Sequence, residues 1–275
     1  MTITHPARVQ IRLPPPPPPR YHAAMLRRAA RTVGQLLLPV HCAACGAPAP
    51  PDGRWPLCPA CARALADLLA APYCPSCGRH AGPYAAGPEG CAFCRNYPVP
   101  FDAAVRAGAY GGPLRTLVLQ CKYGPRPALA TVLGRLLAGR LALAGWADRV
   151  DRVVPVPLHW SRRVRRGFNQ ALGIARELLG ALPRPGRVDR RTLQRTRATA
   201  HQTGIPAPRR RRNVRGAFRV RRGTDLDGAT LLLVDDVMTS GSTVTECTRV
   251  LKRAGAADVY IAVAATADFD DPGPW

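Results

Sequence analysis

The sequence predicts an α/β protein built on a parallel sheet, preceded by a small cysteine-rich unit. The first observation is a run of four apolar residues at 231–234, which is typical of a strand buried on both faces. Two carboxylates, a loop of small hydroxyl residues with glycine, and a helical pattern over 244–254 follow this run directly. The second observation is that eight cysteines form four Cys-x-x-Cys pairs between residues 42 and 94, a spacing that suits metal ligands.

The first 38 residues are predicted to contribute little to the core. Residues 1–20 are basic and contain six consecutive prolines, which indicates a disordered, partly polyproline tail. Apolar residues alternate with arginines over 23–38, which predicts a short basic amphipathic helix. We expect this helix to cap the following domain, and contact with a membrane or nucleic acid is the alternative.

Residues 39–100 are predicted to form a double zinc ribbon. Twelve residues separate the first two cysteine pairs and thirteen the last two, so each set can place four sulfurs around one Zn²⁺. Sequential pairing is preferred, and a cross-braced arrangement stays open. Disulfides are disfavoured because no secretory signal is visible. Both sites are expected to be structural, since four cysteines leave no ligand position for water. The predicted ligands are Cys42, Cys45, Cys58, Cys61, Cys74, Cys77, Cys91 and Cys94.

From residue 101 the composition changes to that of an α/β domain. We predict a strand at 102–110, a largely helical stretch at 113–141 and a second strand at 151–158, whose prolines indicate that it emerges into a loop. An arginine-rich loop then leads into a helix at 171–179. Cationic side chains and free amides converge between a strand end and a helix start, which suits a pyrophosphate. The residues predicted for this role are Arg162, Arg163, Arg165, Arg166, Asn169 and Gln170.

Residues 184–222 hold fourteen arginines and a single acid, Asp189. This pattern predicts a mobile basic loop followed by a return strand at 217–220. Such a loop could close over a reacting sugar and exclude water, and a solvated arginine-rich insert is the alternative. A last strand at 258–264 is predicted to close the sheet.

The loop after the apolar run at 231–234 suits a phosphate, because glycine permits close approach while hydroxyls and helix-start N–H groups donate to anion oxygens. Its residues are Thr239, Ser240, Gly241, Ser242 and Thr243. The preceding carboxylates, Asp235 and Asp236, would repel a phosphate unless they face sugar hydroxyls or Mg²⁺. A phosphorylated ribose carrying pyrophosphate has a phosphate for the loop, hydroxyls for the carboxylates and a group that binds Mg²⁺. An ordinary strand–helix turn with a Ser/Thr N-cap is the alternative.

The chain is strongly basic. Its 275 residues include 40 Lys and Arg against 17 Asp and Glu, a formal net charge of +23. This excess favours phosphate-rich partners such as nucleotides, pyrophosphate or nucleic acid. A general coding bias towards arginine would produce the same total, so the local clusters are more informative. We expect no transmembrane segment and a cytoplasmic location, because the most apolar long window, 128–147, carries two arginines and indicates an amphipathic helix.

Together these motifs resemble those of the ComF family, phosphoribosyltransferase-like proteins linked to DNA uptake and natural competence. The resemblance runs from about residue 38 to 265 and rests on an ordered set of motifs. After the cysteine pairs come Val-Pro-Val-Pro-Leu-His at 154–159, Arg-Gly-Phe-Asn-Gln at 166–170, Leu193-x-Arg195, Arg-Asn-Val at 212–214 and the acidic pair with its hydroxyl loop. That last stretch also resembles the 5-phosphoribosyl-1-pyrophosphate (PRPP) motif of type I phosphoribosyltransferases.

The resemblance implies a type I phosphoribosyltransferase fold over residues 101–275, behind the double zinc ribbon. It implies that Asp235 and Asp236 hold the ribose hydroxyls, directly or through Mg²⁺. The loop at 239–243 would hold the 5-phosphate and the loop at 155–170 the pyrophosphate. Catalysis by this fold displaces pyrophosphate at the anomeric carbon and relies on Mg²⁺ and basic groups. No residue is indicated as a general base, and the acceptor is not indicated.

Three functions are therefore considered. The first is binding of PRPP, or another phosphorylated ribose, with Mg²⁺ and ribosyl transfer to an unknown acceptor, in a protein linked to DNA uptake. The second is single-stranded DNA binding through the zinc ribbon and the arginine-rich loop. The third is docking of a DNA-uptake helicase or another competence protein on the zinc ribbon.

Overall fold

The computed structural model describes residues 40–50, 56–82, 84–87, 89–124, 126–184, 186–199 and 207–267. The tail and basic helix predicted within residues 1–38 lie outside this part of the chain, as do residues 268–275. Among the described residues, no helix combines the length and the apolar character that crossing a membrane requires.

Four helices and strands lie in the described part of the cysteine-rich segment. Helix α1 (Pro59–Ala70) begins directly after Cys58, with proline at a first-turn position that lacks a helical N–H partner in any case. Strands β1 (Ala86–Gly87) and β2 (Gly90–Cys91) form an antiparallel pair, and α2 (Ala92–Asn96) follows.

The described residues from 103 onwards contain the strands and helices of the α/β domain. In order they are β3 (Ala103–Ala109), α3 (Gly112–Tyr123), α4 (Leu129–Leu141), β4 (Arg152–Pro155), α5 (Trp160–Arg166), α6 (Gln170–Leu178), β5 (Arg187–Val188), β6 (Leu193–Arg195), α7 (Ala207–Val214), β7 (Phe218–Val220), β8 (Thr230–Met238), α8 (Ser242–Arg253) and β9 (Asp258–Thr266). Short 3-10 turns occupy Ala147–Arg149 and Leu179–Ala181.

Five strands form one parallel sheet in the order β3-β9-β8-β4-β5. The strand predicted at 258–264 forms as β9, but it lies inside the sheet and does not form an edge, because it pairs with β3 on one side and β8 on the other. Its residues from Val259 to Ala265 are buried on both faces, as a central strand requires. The edges of the sheet are β3 and β5.

Alternate residues of β8 enter two different cores, since successive side chains of a strand point to opposite faces. Leu231 and Leu233 pack in the core that contains α8, whereas Leu232 and Val234 pack in the core that contains α4 and α6. The apolar run at 231–234 is therefore buried on both faces, as predicted.

The helical stretch predicted at 113–141 forms two helices. Helix α3 ends at Tyr123, where the Gly124 N–H still donates to the Gln120 carbonyl at 2.9 Å. Pro127 then has no N–H to offer a continuing helix and restricts the residue before it, so α4 starts only at Leu129.

The arginine-rich stretch after β4 begins with helix α5, which corrects the prediction of a loop. The side chain of His159 caps this helix, with Nδ1 accepting from the Ser161 N–H at 3.4 Å. Gly167 ends it at φ 75°, and its N–H donates to the Arg163 carbonyl at 2.8 Å.

Residues 184–222 contain more regular structure than the predicted mobile loop. Strand β5 joins the main sheet, because Asp189 N donates to the Val153 carbonyl at 2.8 Å just beyond the strand pairing. Strand β6 pairs antiparallel with β7, which is the return strand predicted at 217–220. Residues 200–206, in the middle of the predicted loop, lie outside the described part of the chain.

The cysteine-rich segment covers the β3 edge of the sheet. The Ala104 N–H donates to the Pro75 carbonyl at 2.8 Å, which occupies part of an edge that would otherwise be open for pairing. The fully buried Arg106 side chain donates to the Pro72 carbonyl at 3.0 Å and also to Thr266 Oγ1. One guanidinium thus joins the cysteine-rich segment to the carboxyl end of β9.

Candidate functional site

The acidic pair lies near the carboxyl end of β8. Asp235 and Asp236 precede Val237 and Met238, so the strand extends four residues beyond the apolar run. Asp236 is buried, and Asp235 is mostly buried, with a minor part of its surface in contact with solvent. Because side chains alternate, Asp236 faces the helical layer of α3, α4 and α6, and Asp235 faces the layer of α8.

Asp236 forms an ion pair that the sequence analysis did not predict. Its Oδ1 lies 2.9 Å from Nζ of Lys122, at the end of α3. Burial lowers the pKa of Lys122, but attraction to Asp236 outweighs it, so the pKa is raised above its ordinary value. The contact joins two residues far apart in the chain, and no local motif indicates it.

Asp235 has an unusual protonation behaviour for a carboxyl group. Burial raises its pKa, and the neighbouring Asp236 raises it further, to about 7. Its Oδ1 also accepts the Asp236 N–H at 2.9 Å, which holds the side chain against its own backbone. At neutral pH the pair therefore carries less negative charge than two ordinary carboxylates would.

The loop at 239–243 connects β8 to α8. The helix begins at Ser242 and not at 244 as predicted, because Gly241 at φ 77° turns the chain into the helix early. Ser240 and Ser242 are buried, with their hydroxyl oxygens 2.9 Å apart. Thr239 begins the loop, and Thr243 lies in the first turn of α8, where backbone N–H groups lack intrahelical acceptors.

The six residues predicted for a pyrophosphate are distributed over α5 and the start of α6. The four arginines, Arg162, Arg163, Arg165 and Arg166, belong to α5. The guanidinium of Arg166 lies 4.8 Å from the ring centre of Tyr123, which brings α5 against the end of α3. Helix α5 therefore ends close to the Lys122–Asp236 ion pair.

The two amides at the start of α6 differ in their surroundings. Asn169 caps the helix by accepting from the Ala171 N–H at 3.0 Å, and its Nδ2 donates to the Val156 carbonyl at 3.1 Å. Both of its functional atoms thus serve the fold. Gln170 is 1% exposed, and its Nε2 has no hydrogen-bond acceptor within the described residues. A buried donor without an acceptor is costly, so Gln170 is the better candidate for a ligand contact.

Arg163, Phe168 and Arg176 line a cavity of about 680 Å³ at the end of β4. Arg190 and Arg191 lie on its rim and also line a second cavity of about 620 Å³ beside β5. The two cavities share these two arginines as lining residues, and we call the two cavities together the arginine groove. The basic character of residues 184–222 was predictable from the sequence, but this location was not.

The cysteines form two groups of four. In each group all four sulfurs lie within 4.8 Å of one another. Cys45 and Cys58 lie 3.7 Å apart, as do Cys77 and Cys91, and all are free thiols. Four sulfurs at about 2.3 Å from a tetrahedral Zn²⁺ would be separated by about 3.8 Å, so the groups fit this ion. The first pair of Cys-x-x-Cys motifs forms one group and the second pair the other. Sequential pairing is confirmed.

Comparison with known proteins identifies the family. Residues 146–272 match the phosphoribosyl transferase domain. The chain is 39% identical over 175 residues to DNA utilization protein YhgH of Salmonella typhi, covering 62% of this chain and 75% of that protein. It is 29% identical over 175 residues to competence protein F of Haemophilus influenzae, covering 62% and 76%. The chain belongs to the ComF family.

The ComF family membership agrees with the architecture. The central parallel sheet, the domain match and the two four-cysteine groups confirm the predicted type I phosphoribosyltransferase fold with an N-terminal cysteine-rich unit. A solved structure described as the allosteric regulatory enzyme of purine biosynthesis is similar at a TM-score of 0.36 and 21% identity, covering 53% of this chain and 30% of that one.

We predict that Asp235→Asn changes how stability depends on pH. An acid whose folded-state pKa is raised from 3.8 to about 7 ionises first in the unfolded chain, so the wild type loses stability as the pH rises across that window. In Mg²⁺-free buffer, the melting temperature of the variant minus that of the wild type should be larger at pH 8 than at pH 5. The exposed Asp227→Asn is the matched control, for which this difference should be the same at both pH values. An equal difference at both pH values for Asp235→Asn would contradict the prediction.

Proposed function

We propose that this ComF family protein binds PRPP together with Mg²⁺ and that it can transfer the ribosyl group with release of pyrophosphate. One observation carries the proposal. The acidic pair lies near the carboxyl end of β8, the loop into α8 follows β8, and the arginines of α5 follow β4; β8 and β4 are adjacent parallel strands. Ligands of open α/β sheets bind at the carboxyl ends of such strands.

The loop at 239–243 is assigned to the 5-phosphate. Free N–H groups at the start of the twelve-residue helix α8 and the positive end of its dipole favour an anion there. Gly241, with its left-handed backbone, permits close approach of the phosphate to the chain. Hydroxyl groups of Thr239 and Thr243 would add donors.

The acidic pair is assigned to the ribose hydroxyls, directly or through Mg²⁺. Mg²⁺ commonly binds one or two carboxylates together with substrate phosphates. The donor set therefore fits a Mg²⁺ ion that arrives with the ligand. When bound, this ion would neutralise charge that develops on the leaving pyrophosphate.

The pyrophosphate is assigned to the first turn of α6 and to α5. Gln170 Nε2 supplies a buried donor without an acceptor among the described residues, and Arg163 lines the cavity at the end of β4. Arginine suits this role because its guanidinium makes paired, charge-assisted bonds to phosphate oxygens. We assign no general base, and the acceptor is left open.

Single-stranded DNA binding is a second candidate function, favoured by the arginine groove. The guanidinium groups of Arg190, Arg191, Arg221 and Arg222 have no ion pair or hydrogen bond within the described residues, and all four residues are exposed. Unpaired arginines in a groove attract a nucleic-acid backbone. The names of the ComF relatives, which refer to DNA utilization and competence, also favour DNA binding.

Asp189 shapes this groove, and its Oδ2 lies 3.9 Å from a guanidinium nitrogen of Arg152 in the same cavity. Its carboxylate accepts from the N–H groups of Arg191 and Thr192, both at 3.0 Å, and from the Thr192 hydroxyl at 2.5 Å. Burial acts to raise the pKa of Asp189, but these hydrogen bonds outweigh it and lower the pKa below its ordinary value. The one acid of the segment therefore holds the turn from which Arg190 and Arg191 project.

We further propose that both four-cysteine groups bind Zn²⁺ and that residues 39–100 form the metal-binding domain and 101–275 the phosphoribosyltransferase domain. Closed sites of four cysteines stabilise small units that have few large apolar residues. Docking of a helicase or another competence protein on residues 39–100 stays a prediction.

PRPP binding predicts a thermal shift. With Mg²⁺ and ligand at about a hundred times the Kd, the folded state gains about 2.7 kcal/mol, which raises the melting temperature by roughly 5–10 °C. The double variant Asp235→Asn/Asp236→Asn should lose this shift. The matched control, Asp148→Asn/Asp227→Asn, removes the same charge at exposed positions that do not lie at the carboxyl end of β8, and it should keep the shift. A wild type without any shift would overturn the proposal.

DNA binding in the arginine groove predicts a reduced salt dependence for Arg221→Gln/Arg222→Gln. Every phosphate that the variant no longer neutralises should lower the slope of log K against log salt by roughly 0.7, so the double variant should show a decrease of about 1.4. The control Arg115→Gln/Arg253→Gln makes the same charge change outside the groove and should show a smaller decrease. Fluorescence anisotropy with a labelled oligothymidylate at several salt concentrations measures both. Equal slopes for the two double variants would exclude the groove as the DNA site.

Zinc binding predicts two Zn²⁺ ions per chain by elemental analysis. Cys74→Ser should retain one ion, because it removes a ligand from one four-cysteine group only. Cys121→Ala, at a buried cysteine outside both groups, is the control and should retain two. Two ions in the Cys74→Ser variant, or disulfides in the purified wild type by mass spectrometry, would contradict the assignment.

A further inference from the structure

Lys122 holds the least exposed of the ion pairs between described residues. The side chains of Lys122 and Asp236 are 20% and 11% exposed, and Nζ lies 2.9 Å from Oδ1. Removing two charges from water is expensive and is often not repaid by their attraction. A buried pair of this kind therefore calls for a role beyond stability.

The position of Lys122 is set by the protein and not by a ligand. The Tyr123 ring stacks with the Arg166 guanidinium, which fixes the end of α3 against α5. At Gly124 a Cβ would lie 2.8 Å from the Gln120 carbonyl oxygen, so the chain leaves the helix at a point where only glycine fits without movement. The ammonium group is thus held at the acidic pair in the ligand-free protein.

The charge balance at the site explains why a cation is needed there. A ligand with a phosphate and a pyrophosphate is strongly anionic, and it must approach two adjacent carboxylates. Without Lys122, the buried Asp236 would have no cation at contact distance among the described residues. An uncompensated buried carboxylate would either repel the ligand or recruit a metal ion from solution.

We propose that Lys122 is the internal counter-cation of the acidic pair: it occupies the place of a divalent cation at Asp236, disfavours binding of a free metal ion there and reduces repulsion of an anionic phosphoribosyl ligand. The part that concerns the ligand rests on the proposed PRPP function, whereas the exclusion of free metal ions does not. A carboxylate oxygen bound to Mg²⁺ at about 2.1 Å cannot also keep an ammonium group at 2.9 Å without strong like-charge repulsion.

The proposal requires opposite effects on two ligands when Lys122 is replaced. In Lys122→Met, free Mn²⁺, used as a spin-active substitute for Mg²⁺, should bind the acidic pair about tenfold more tightly. PRPP without added metal should bind about tenfold more weakly, because the variant has one positive charge fewer at the site. A residue needed only for structure would weaken both. Lys122→Arg keeps the charge and should resemble the wild type in both assays.

The experiment combines Mn²⁺ titration by electron paramagnetic resonance with PRPP titration by calorimetry, on zinc-loaded protein. If Lys122→Met does not fold, the variants Lys122→Gln and Lys122→Met/Asp236→Asn replace it. Lys122→Gln should show the same gain in Mn²⁺ affinity, and the double variant should show none, since the metal would lack its carboxylate.

Mn²⁺ binding tests the counter-cation role of Lys122, and PRPP binding tests the proposed function, so the two can fail independently. Unchanged or weaker Mn²⁺ binding in both Lys122→Met and Lys122→Gln would overturn the counter-cation role. A gain in Mn²⁺ affinity in a protein that never binds PRPP would support the counter-cation role and reject the PRPP proposal instead.

Discussion

The parallel pairing of β8 with β4 on one side and β9 on the other is the constraint on which the candidate site depends. Parallel pairing brings the carboxyl ends of these strands to one edge of the sheet, so the segments that follow β4 and β8 meet although about 80 residues separate them. The pairing is stabilised by apolar side chains on both faces of β8. A buried strand with two adjacent acids at its end is then tolerated because each acid faces a different layer.

The cysteine-rich unit contacts the carboxyl ends of β8 and β9. Gly78 directly follows Cys77. A Cβ at Gly78 would lie 3.0 Å from the terminal methyl of Met238, so the chain here packs closely against the end of β8. Met238 ends β8 and directly precedes the loop at 239–243. Arg106 completes the link through Pro72 and Thr266. The four-cysteine group that begins at Cys74 therefore packs behind the loop assigned to the 5-phosphate, whereas α1 packs against the start of α3.

The parts of this arrangement that the sequence could predict have local causes. The apolar run at 231–234, the acidic pair and the cysteine spacings each carry their chemistry within a few neighbouring residues, and the buried strand and the two cysteine groups form where they were predicted. The features that were missed depend on distant partners. Lys122 is an ordinary last-turn lysine until the sheet brings Asp236 to it, and the central position of β9 depends on β3 pairing with its far side. Helix α5 was missed because arginine is common in loops and helices alike, and its His159 cap is unusual.

Charge is distributed in this protein so that each acid near the site has a defined task. Asp189 holds the turn that presents Arg190 and Arg191, and Asp236 is matched by Lys122. Burial and the neighbouring Asp236 both disfavour the ionised form of Asp235 and raise its pKa. Protonation of Asp235 therefore lowers the electrostatic repulsion between the two acids. In a chain with a net charge of +23, each of these few negative groups is therefore compensated locally, by hydrogen bonds, by an ammonium group or by protonation.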